Sequence, residues 1–305
     1  VKKALMVDCL LLCIVFIWGA TFVVVQNAVH MLPPNTFNAI RFFSASLFLS
    51  LIYFIRNPRA WQTCNFSLVR SGVFLGFWLF VSYATQTVGL LYTSPSKAGF
   101  ITGLSVVLVP LLSIVVLTHK VKASTFIGVC MAVIGLYLLT MNGTLSLTFG
   151  DFLVLCCAIC FAMQIVLTGR YSPRFPTMPL VIIQLFTVSF FSMCYALLLE
   201  DWQAIYDPFI IGHPEVLWAL FITAIPATAL AFLVQTSFQK DTSPTHVALI
   251  FSLEPVFAAF TSYLWIHELL TMKQLIGCAF ILSGMLFSEL PILFWLRNLK
   301  AKISA

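Results

Sequence analysis

A pattern of fifty residues occurs twice in this chain, and it restricts the fold more than any single motif does. Gln86-Thr87, Thr93-Ser94-Pro95, Ile101, Leu104, Ile127-Gly128 and Gly135 return as Gln235-Thr236, Thr242-Ser243-Pro244, Ile250, Leu253, Ile276-Gly277 and Gly284, each 149 positions on. Twelve of the fifty positions in 86–135 are identical to their partners, and these include polar and helix-breaking residues that a shared apolar bias does not produce. Earlier residues match at a shorter offset. Asp8, Trp18-Gly19 and Arg41 fall opposite Asp151, Phe161-Ala162 and Gln184, 143 positions on, and the polar run 200–215 takes up the difference. The chain therefore reads as two halves, 1–143 and 144–305.

Neither half reads as a water-soluble domain. Hydrophobic residues make up 61% of the chain and charged residues 9%, against about half and about a quarter in soluble folds. The apolar residues fall in ten runs of membrane-spanning length, at 5–27, 36–55, 71–91, 97–117, 123–141, 151–169, 178–199, 215–236, 245–266 and 272–295. The expected fold is an all-α integral membrane protein of ten transmembrane helices. Pro33-Pro34-Asn35, Asn57-Pro58, Asn142-Gly143, Ser172-Pro173 and Ser243-Pro244 mark the short connectors. Asp8 and Asp151 stand where helix caps are expected. Lys2 and Lys3 precede a run longer than a signal-peptide core, so that run reads as a first span and not as a cleavable leader.

The net charge of +6 does not point to nucleic acid, because the basic residues sit in the connectors. With the N-terminus inside, thirteen Lys and Arg residues fall on the cytoplasmic side, only Lys97 and Lys273 on the other, and Arg41 within a span. This bias places the protein in the cell membrane with both termini cytoplasmic. Five spans per half is an odd number, so the second half enters the membrane inverted. Inverted repeats recur in secondary transporters, whose substrate site lies near the midplane between the repeats. No nucleotide-binding loop accompanies the spans.

Polar groups inside spans are the candidate site. Glu254 lies midway along the ninth span beside Pro255, which lacks a backbone donor and frees a carbonyl one turn earlier. A carboxylate at a broken helix is a candidate proton or cation site, and the alternatives are a structural ion pair, in one version with Arg41, or a carboxyl kept protonated by burial. Arg41 lies about five residues into the second span and offers a fork for a substrate carboxylate. Thr21, Tyr83, Gln86, Gln164, Gln184 and Gln235 are candidates for a wet cavity wall or for interhelical hydrogen bonds. Trp18 falls mid-span, which favours a cavity wall over lipid anchoring. Gly128/Gly135, Gly277/Gly284, Gly72/Gly76 and Gly99/Gly103 read as packing seams. Of the nine cysteines only Cys64 lies in a clear connector, and Cys157-x-x-Cys160 has no nearby histidine. The five histidines fall at or near span ends without metal-ligand spacing. No metal and no cofactor is called for.

These residues carry a resemblance. Trp18-Gly19-Ala20-Thr21, Arg41-Phe42, Gln86 through Ser94-Pro95, Leu253-Glu254-Pro255, His267-Glu268 and the Ile-Gly…Gly signatures of spans 5 and 10 occur in an order similar to that of EamA-type members of the drug/metabolite transporter superfamily. The likeness covers essentially the whole chain. It implies a ten-helix carrier for small metabolites such as amino acids or related amphipathic solutes, often moved outward, by alternating access at a midplane cavity. His119-Lys120 stands where the family commonly has an acidic residue after span 4. Pro110 lies fifteen residues after Pro95 whereas Pro255 follows Pro244 by eleven, so the helix break is expected to have slid by about a turn between the halves. The partners expected are the lipid bilayer, a small-molecule substrate and a proton as coupling ion, with a homodimer left open. An intramembrane enzyme acting on lipid or peptide is the alternative, and it needs a nucleophile–base set or a second deep acid.

Overall fold

The computed structural model describes residues 2–57, 65–93, 95–118, 123–140, 148–266 and 271–289. Every regular element among them is helical: α1 (Lys2–Met31), α2 (Pro34–Arg56), α3 (Phe66–Gly89), α4 (Pro95–Gly103), α5 (Ser105–Leu117), α6 (Ala123–Thr140), α7 (Phe149–Tyr171), α8 (Thr177–Leu199), a 3-10 turn (Trp202–Tyr206), α9 (Pro208–Ile211), α10 (Pro214–Ala224), a π-turn (Ile225–Leu230), α11 (Ala231–Phe238), α12 (Pro244–Phe251), α13 (Glu254–Ile266) and α14 (Met272–Glu289). Seven helical stretches are long and apolar enough to cross a membrane, and three shorter apolar ones accompany them. Helices suit such a sequence because hydrocarbon offers the backbone no partner, and a helix satisfies its own N–H and C=O groups. Cys64, His119-Lys120, Asn142-Gly143 with the boundary between the halves, and His267-Glu268 lie outside the described residues.

The helix starts follow the connector chemistry. Asn65 caps α3 by accepting from Leu68 N–H, and Ser243 caps α12 by accepting from His246 N–H. Asp151 and Thr148 form a reciprocal capping box at α7, and Thr93 of the α3–α4 connector donates to the same carboxylate. Asp151 is therefore a cap, as its position indicates. The start of α2 is closed from a distance: the Glu200 carboxylate, just past α8, accepts from Asn35 N–H, Asn35 Nδ2, Thr36 N–H and Thr36 Oγ1 at 2.8–3.0 Å.

Helices that correspond in the repeat pack on each other, α2 on α8 and α6 on α14. In the second pair, a Cβ added at Gly135 would lie 2.6 Å from the Gly277 carbonyl oxygen, and one added at Gly284 would lie 2.6 Å from that of Gly128. As one helix advances seven residues the other retreats seven, so the two run antiparallel with their backbones touching. α3 also meets α8 closely at Gly72, against the Ile183 side chain, and at Gly76, against Thr187 and the Gln184 carbonyl, and these contacts advance together along the two helices, which therefore run parallel. Gly99 differs: its nearest neighbour is a Phe22 ring atom at 4.0 Å, so it marks no close seam. The other major contacts also come in corresponding pairs, α1 on α13 and α5 on α7, α3 on α7 and α1 on α10.

Two of the ten runs are interrupted at the same repeat position. α4 gives way to α5 at Leu104 and α12 to α13 at Ser252-Leu253, so Leu104 and Leu253 mark one break written twice. The expectation that the break slides with the prolines is corrected here. Pro255 sits at the second position of α13, where a missing N–H costs nothing, whereas Pro110 lies inside α5. Gly103 and Ser252, poor helix formers, precede the two leucines, and the Ser252 hydroxyl turns back to the Leu249 carbonyl. A third interruption is the π-turn at Ile225–Leu230, which holds Pro226.

Candidate functional site

The breaks converge on one cavity. It is lined by Trp18, Thr21, Phe22 and Val25 of α1, Arg41 of α2, Ser82, Tyr83, Gln86, Thr87 and Leu90 of α3, Thr102 of α4, Phe161 of α7 and Glu254 of α13. The α1 residues recur at i, i+3, i+4 and i+7, one helical face, so the cavity runs along the second half of α1 and of α3. It measures about 40 Å³ on the scale on which one water needs roughly 10–15 Å³, so about three waters fill it.

Each wall has an identifiable support. Gly19 lets α1 approach α13 so closely that a Cβ there would lie 2.6 Å from the Glu254 carbonyl oxygen and 2.8 Å from Ala258 N. That contact fixes Trp18 and Glu254 at the same level. The Trp18 indole N–H donates to the Ala227 carbonyl at 2.7 Å, and Arg41 Nε donates to Thr228 Oγ1 at 2.8 Å. Both acceptors belong to the π-turn, so the irregular helix of the second half holds the two polar walls contributed by the first. The Arg41 guanidinium also lies over the Tyr83 ring, 4.8 Å from its centroid, and 5.3 Å from that of Phe42. Gln86 Nε2 donates to Thr102 Oγ1, and Asn38 Nδ2 to Thr87 Oγ1.

Glu254 stands differently. Among the described residues no hydrogen bond and no ion pair reaches its carboxylate, and Arg41 does not come within the 4.0 Å of an ion pair. The pairing of Arg41 with Glu254, offered by the sequence as the structural alternative, is not made. An arginine and a glutamate line one cavity without pairing, although a charge inside a span costs roughly 2.5–3.5 kcal/mol.

Below the charges lies an aromatic floor. Trp18 meets Phe251, Phe161 and Phe232 at centroid distances of 4.9, 5.9 and 5.9 Å, and Tyr83 meets Phe42 and Phe232 at 4.9 and 6.3 Å. Trp18 and Phe161 occupy corresponding positions of the repeat, as do Tyr83 and Phe232, so the floor lies where the halves meet.

Of the candidates read from sequence, Trp18, Thr21, Arg41, Tyr83, Gln86 and Glu254 come together in this cavity, and Gln164, Gln184 and Gln235 do not. All three glutamines are fully buried beyond the floor. Gln235 Nε2 donates to Gln164 Oε1 and Gln239 Oε1, Gln239 Nε2 donates to the Ile165 carbonyl, and Gln164 Nε2 donates to Thr168 Oγ1. Gln184 bonds to nothing described. The sequence reading marked Thr87 and Phe161 only as repeat positions, and did not name Ser82, Thr102 or the Thr228 support. Pro226 within an unbroken apolar run is the signal that points to the last of these. Among the described residues no group of His, Cys, Asp or Glu is arranged to hold a metal.

Apolar helices of membrane length, packed around a small cavity that holds a buried arginine and, at a helix break, a buried glutamate that do not pair, define a multi-pass membrane transporter. The chain belongs to the EamA-like transporter family, whose pattern matches residues 5–141 and again 148–290. An uncharacterized transporter of Archaeoglobus fulgidus is 33% identical to it over 290 residues, covering 95% of this chain and 88% of its own. The uncharacterized transporter YyaM of Bacillus subtilis is 26% identical over 285 residues, covering 88% of each chain. A protein of known crystal structure superposes with a TM-score of 0.76 at 16% identity, over 93% of this chain and 96% of that one. That last likeness is one of fold.

Proposed function

We propose that this transporter is a secondary exporter of small amphipathic zwitterions, amino acids or close relatives, working by alternating access around the Arg41–Glu254 cavity. The observation that carries the reading is that Arg41 and Glu254 line one cavity and leave each other unpaired. A solute carboxylate meets the Arg41 fork, a solute ammonium meets the Glu254 carboxylate, and an apolar side chain lies on Trp18 and Phe161. The cavity as it stands holds about three waters, so an amino acid enters only as the α1 and α3 walls part. Export is the direction implied by the family resemblance.

The ten-span inverted repeat belongs to the same proposal. Seven long apolar helical stretches and three shorter ones supply ten crossings, and the family pattern falls twice along the chain. The antiparallel α6–α14 seam, with Gly135 against Gly277 and Gly284 against Gly128, is what a two-fold axis in the membrane plane requires. The basic connectors then orient the chain with its N-terminus in the cytoplasm, and the cavity side of α1 and α3 faces outward.

Glu254 is proposed as the coupling group, releasing its proton as the ammonium binds and taking one up as the ammonium leaves. The test is solute counterflow in proteoliposomes loaded with an amino-acid panel. Wild-type protein is expected to exchange at least one zwitterion saturably, and Arg41→Gln to lose it. Glu254→Gln keeps the side-chain shape without the titration, so exchange is retained while accumulation driven by a pH gradient fails. Undiminished pH-driven accumulation by a stable Glu254→Gln protein would end the coupling proposal, and saturable flux of uncharged solutes alone would end the zwitterion one.

A further inference from the structure

Four of the ten buried side-chain polar atoms that lack a partner among the described residues belong to three residues with one thing in common. Gln184 is fully buried and bonds through neither Nε2 nor Oε1, and Gln235 Oε1 and Thr236 Oγ1, also fully buried, are likewise unpartnered among the described residues. Each is the repeat counterpart of a cavity residue. Gln184 corresponds to Arg41 at the 143 offset, and Gln235 and Thr236 correspond to Gln86 and Thr87 at the 149 offset. The pattern of polar side chains that surrounds the cavity is therefore present a second time beyond the aromatic floor, collapsed and short of partners.

A buried amide with no partner is unfavourable, because it has lost water and gained nothing in exchange. One amide without any partner, one amide oxygen and one hydroxyl, all at positions that match a polar cavity, need a reason. A core of this kind is expected to place Leu or Val there, as at Leu79 and Val181, the repeat counterparts of Thr228 and Asn38. Polarity has been kept where the closed state does not use it. The charges have not been kept: Gln184 stands for Arg41, and Ser105 for Glu254.

We propose that Gln184, Gln235 and Thr236 line a second, uncharged polar chamber on the opposite side of the aromatic floor, shut in this structure by the Gln164–Gln235–Gln239 chain, which admits water and neutral hydrogen-bonding groups of the solute when it opens. The inference rests on the two-state carrier reading, because a static protein has no second state in which these amides are wetted. It assigns unlike chemistry to the two sides of the floor. Arg41 and Glu254 bind the charged ends of the solute, and the second chamber offers no counter-charge, so a solute leaving through it is held only by amides and hydroxyls.

The chamber also contributes to the balance between states. The unsatisfied Gln184 amide raises the energy of the shut form and is relieved when water reaches it, so removing it favours the shut form by about tenfold or more.

Thiol accessibility tests this without any knowledge of the solute. Full-length protein carrying Gln86→Cys or Thr236→Cys is treated with a small charged methanethiosulfonate in right-side-out and inside-out vesicles. Peptide mass spectrometry locates the modified residue among the native cysteines. The expected result is that the two positions label from opposite faces, and that adding Gln184→Leu to Thr236→Cys slows its labelling by about tenfold. Labelling of Cys at 236 from neither face, labelling of both positions from the same face, or an unchanged rate with Gln184→Leu would each overturn the proposal. If Thr236→Cys does not fold, Gln184→Cys takes its place with the same expectation of facedness. Opposite-face labelling in a protein that carries out no solute counterflow would end the transport reading and leave the chamber standing. Counterflow with an unreactive second position would do the reverse.

Discussion

Gly135→Ala isolates the contact on which the α6–α14 pair is built. The added Cβ would meet the Gly277 carbonyl oxygen at 2.6 Å, Ile281 Cγ1 at 2.7 Å and Ile281 N at 2.8 Å, where ordinary contact begins near 3.4 Å. Two of the three are backbone atoms of a helix and cannot swing aside as a side-chain tip does. The helices must therefore part by about 0.8 Å at this level, and a gap of that size forfeits roughly a quarter to a half of the dispersion energy of each facing contact. Overpacking costs typically about 1–3 kcal/mol, and the rigidity of the obstacle puts this change near the upper end. At about 2–4 °C per kcal/mol the melting temperature of the purified protein should fall by about 5–10 °C. Gly284→Ala meets Gly128 in the mirrored contact, seven residues or about 10 Å along the seam, and one separation of the helices relieves both clashes. The double variant should therefore lose less than the sum of the singles. Gly99→Ala is the control, because its Cβ has room and alanine is the better helix former by about 0.5–1 kcal/mol. A Gly135→Ala protein melting within about 1 °C of wild type, with Gly99→Ala no better, would refute the reasoning from the seam.

Other outcomes follow from the same geometry. Thr228→Val keeps the shape of the π-turn and removes the acceptor for Arg41 Nε; a hydrogen bond to a charged group contributes about 1.5–3 kcal/mol, so solute affinity in counterflow should drop by roughly tenfold or more while the protein still folds. Glu200→Ala strips four hydrogen bonds from the start of α2 and should lower stability by about 2 kcal/mol in a thermal melt, with Glu200→Gln recovering part of it. Cys64 should react with a membrane-impermeant maleimide only from the cytoplasmic side, and labelling from outside intact cells would reverse the orientation.

Much of the architecture is legible in the residues because a membrane leaves few choices. Runs of apolar residues, Ser243-Pro244 and the Thr148–Asp151 pair specify helices and their starts by local chemistry, and the Gly128/Gly135 and Gly277/Gly284 spacing indicates a close seam. The break positions are less legible: Pro110 and Pro255 draw attention away from Leu104 and Leu253, where the helices part. Proline marks where a donor is missing, and α13 accommodates that loss at its first turn. The candidate site is legible on one side only. Thr21 and Gln164 correspond in the repeat, as do Gln86 and Gln235, and nothing in their identities says which member of each pair faces a cavity at a given moment. That depends on how the whole bundle packs. Thr228 escaped because a single threonine in an apolar run has no signature of its own; Pro226, two residues earlier, marks the irregular turn, and the turn carries Thr228 to Arg41.

The two halves share a scaffold and divide the chemistry, and the energetics of buried charge account for the division. Glycines at seams and the breaks at Leu104 and Leu253 recur because corresponding helices, α6 and α14 among them, pack on each other and must match in shape. A second arginine at Gln184 would gain no such advantage. It would sit beyond the aromatic floor, where Leu79 replaces the Thr228 acceptor, and would carry at least the roughly 2.5–3.5 kcal/mol of a charge within a span. An acid at Ser105 would meet the same cost. Because the floor lies between the halves, a charge from each can reach one cavity, Arg41 from the first and Glu254 from the second. The zwitterion proposed as solute needs one site of each sign. Placing both on the same side of the floor meets that need with two buried charges where a symmetric pair of sites would take four.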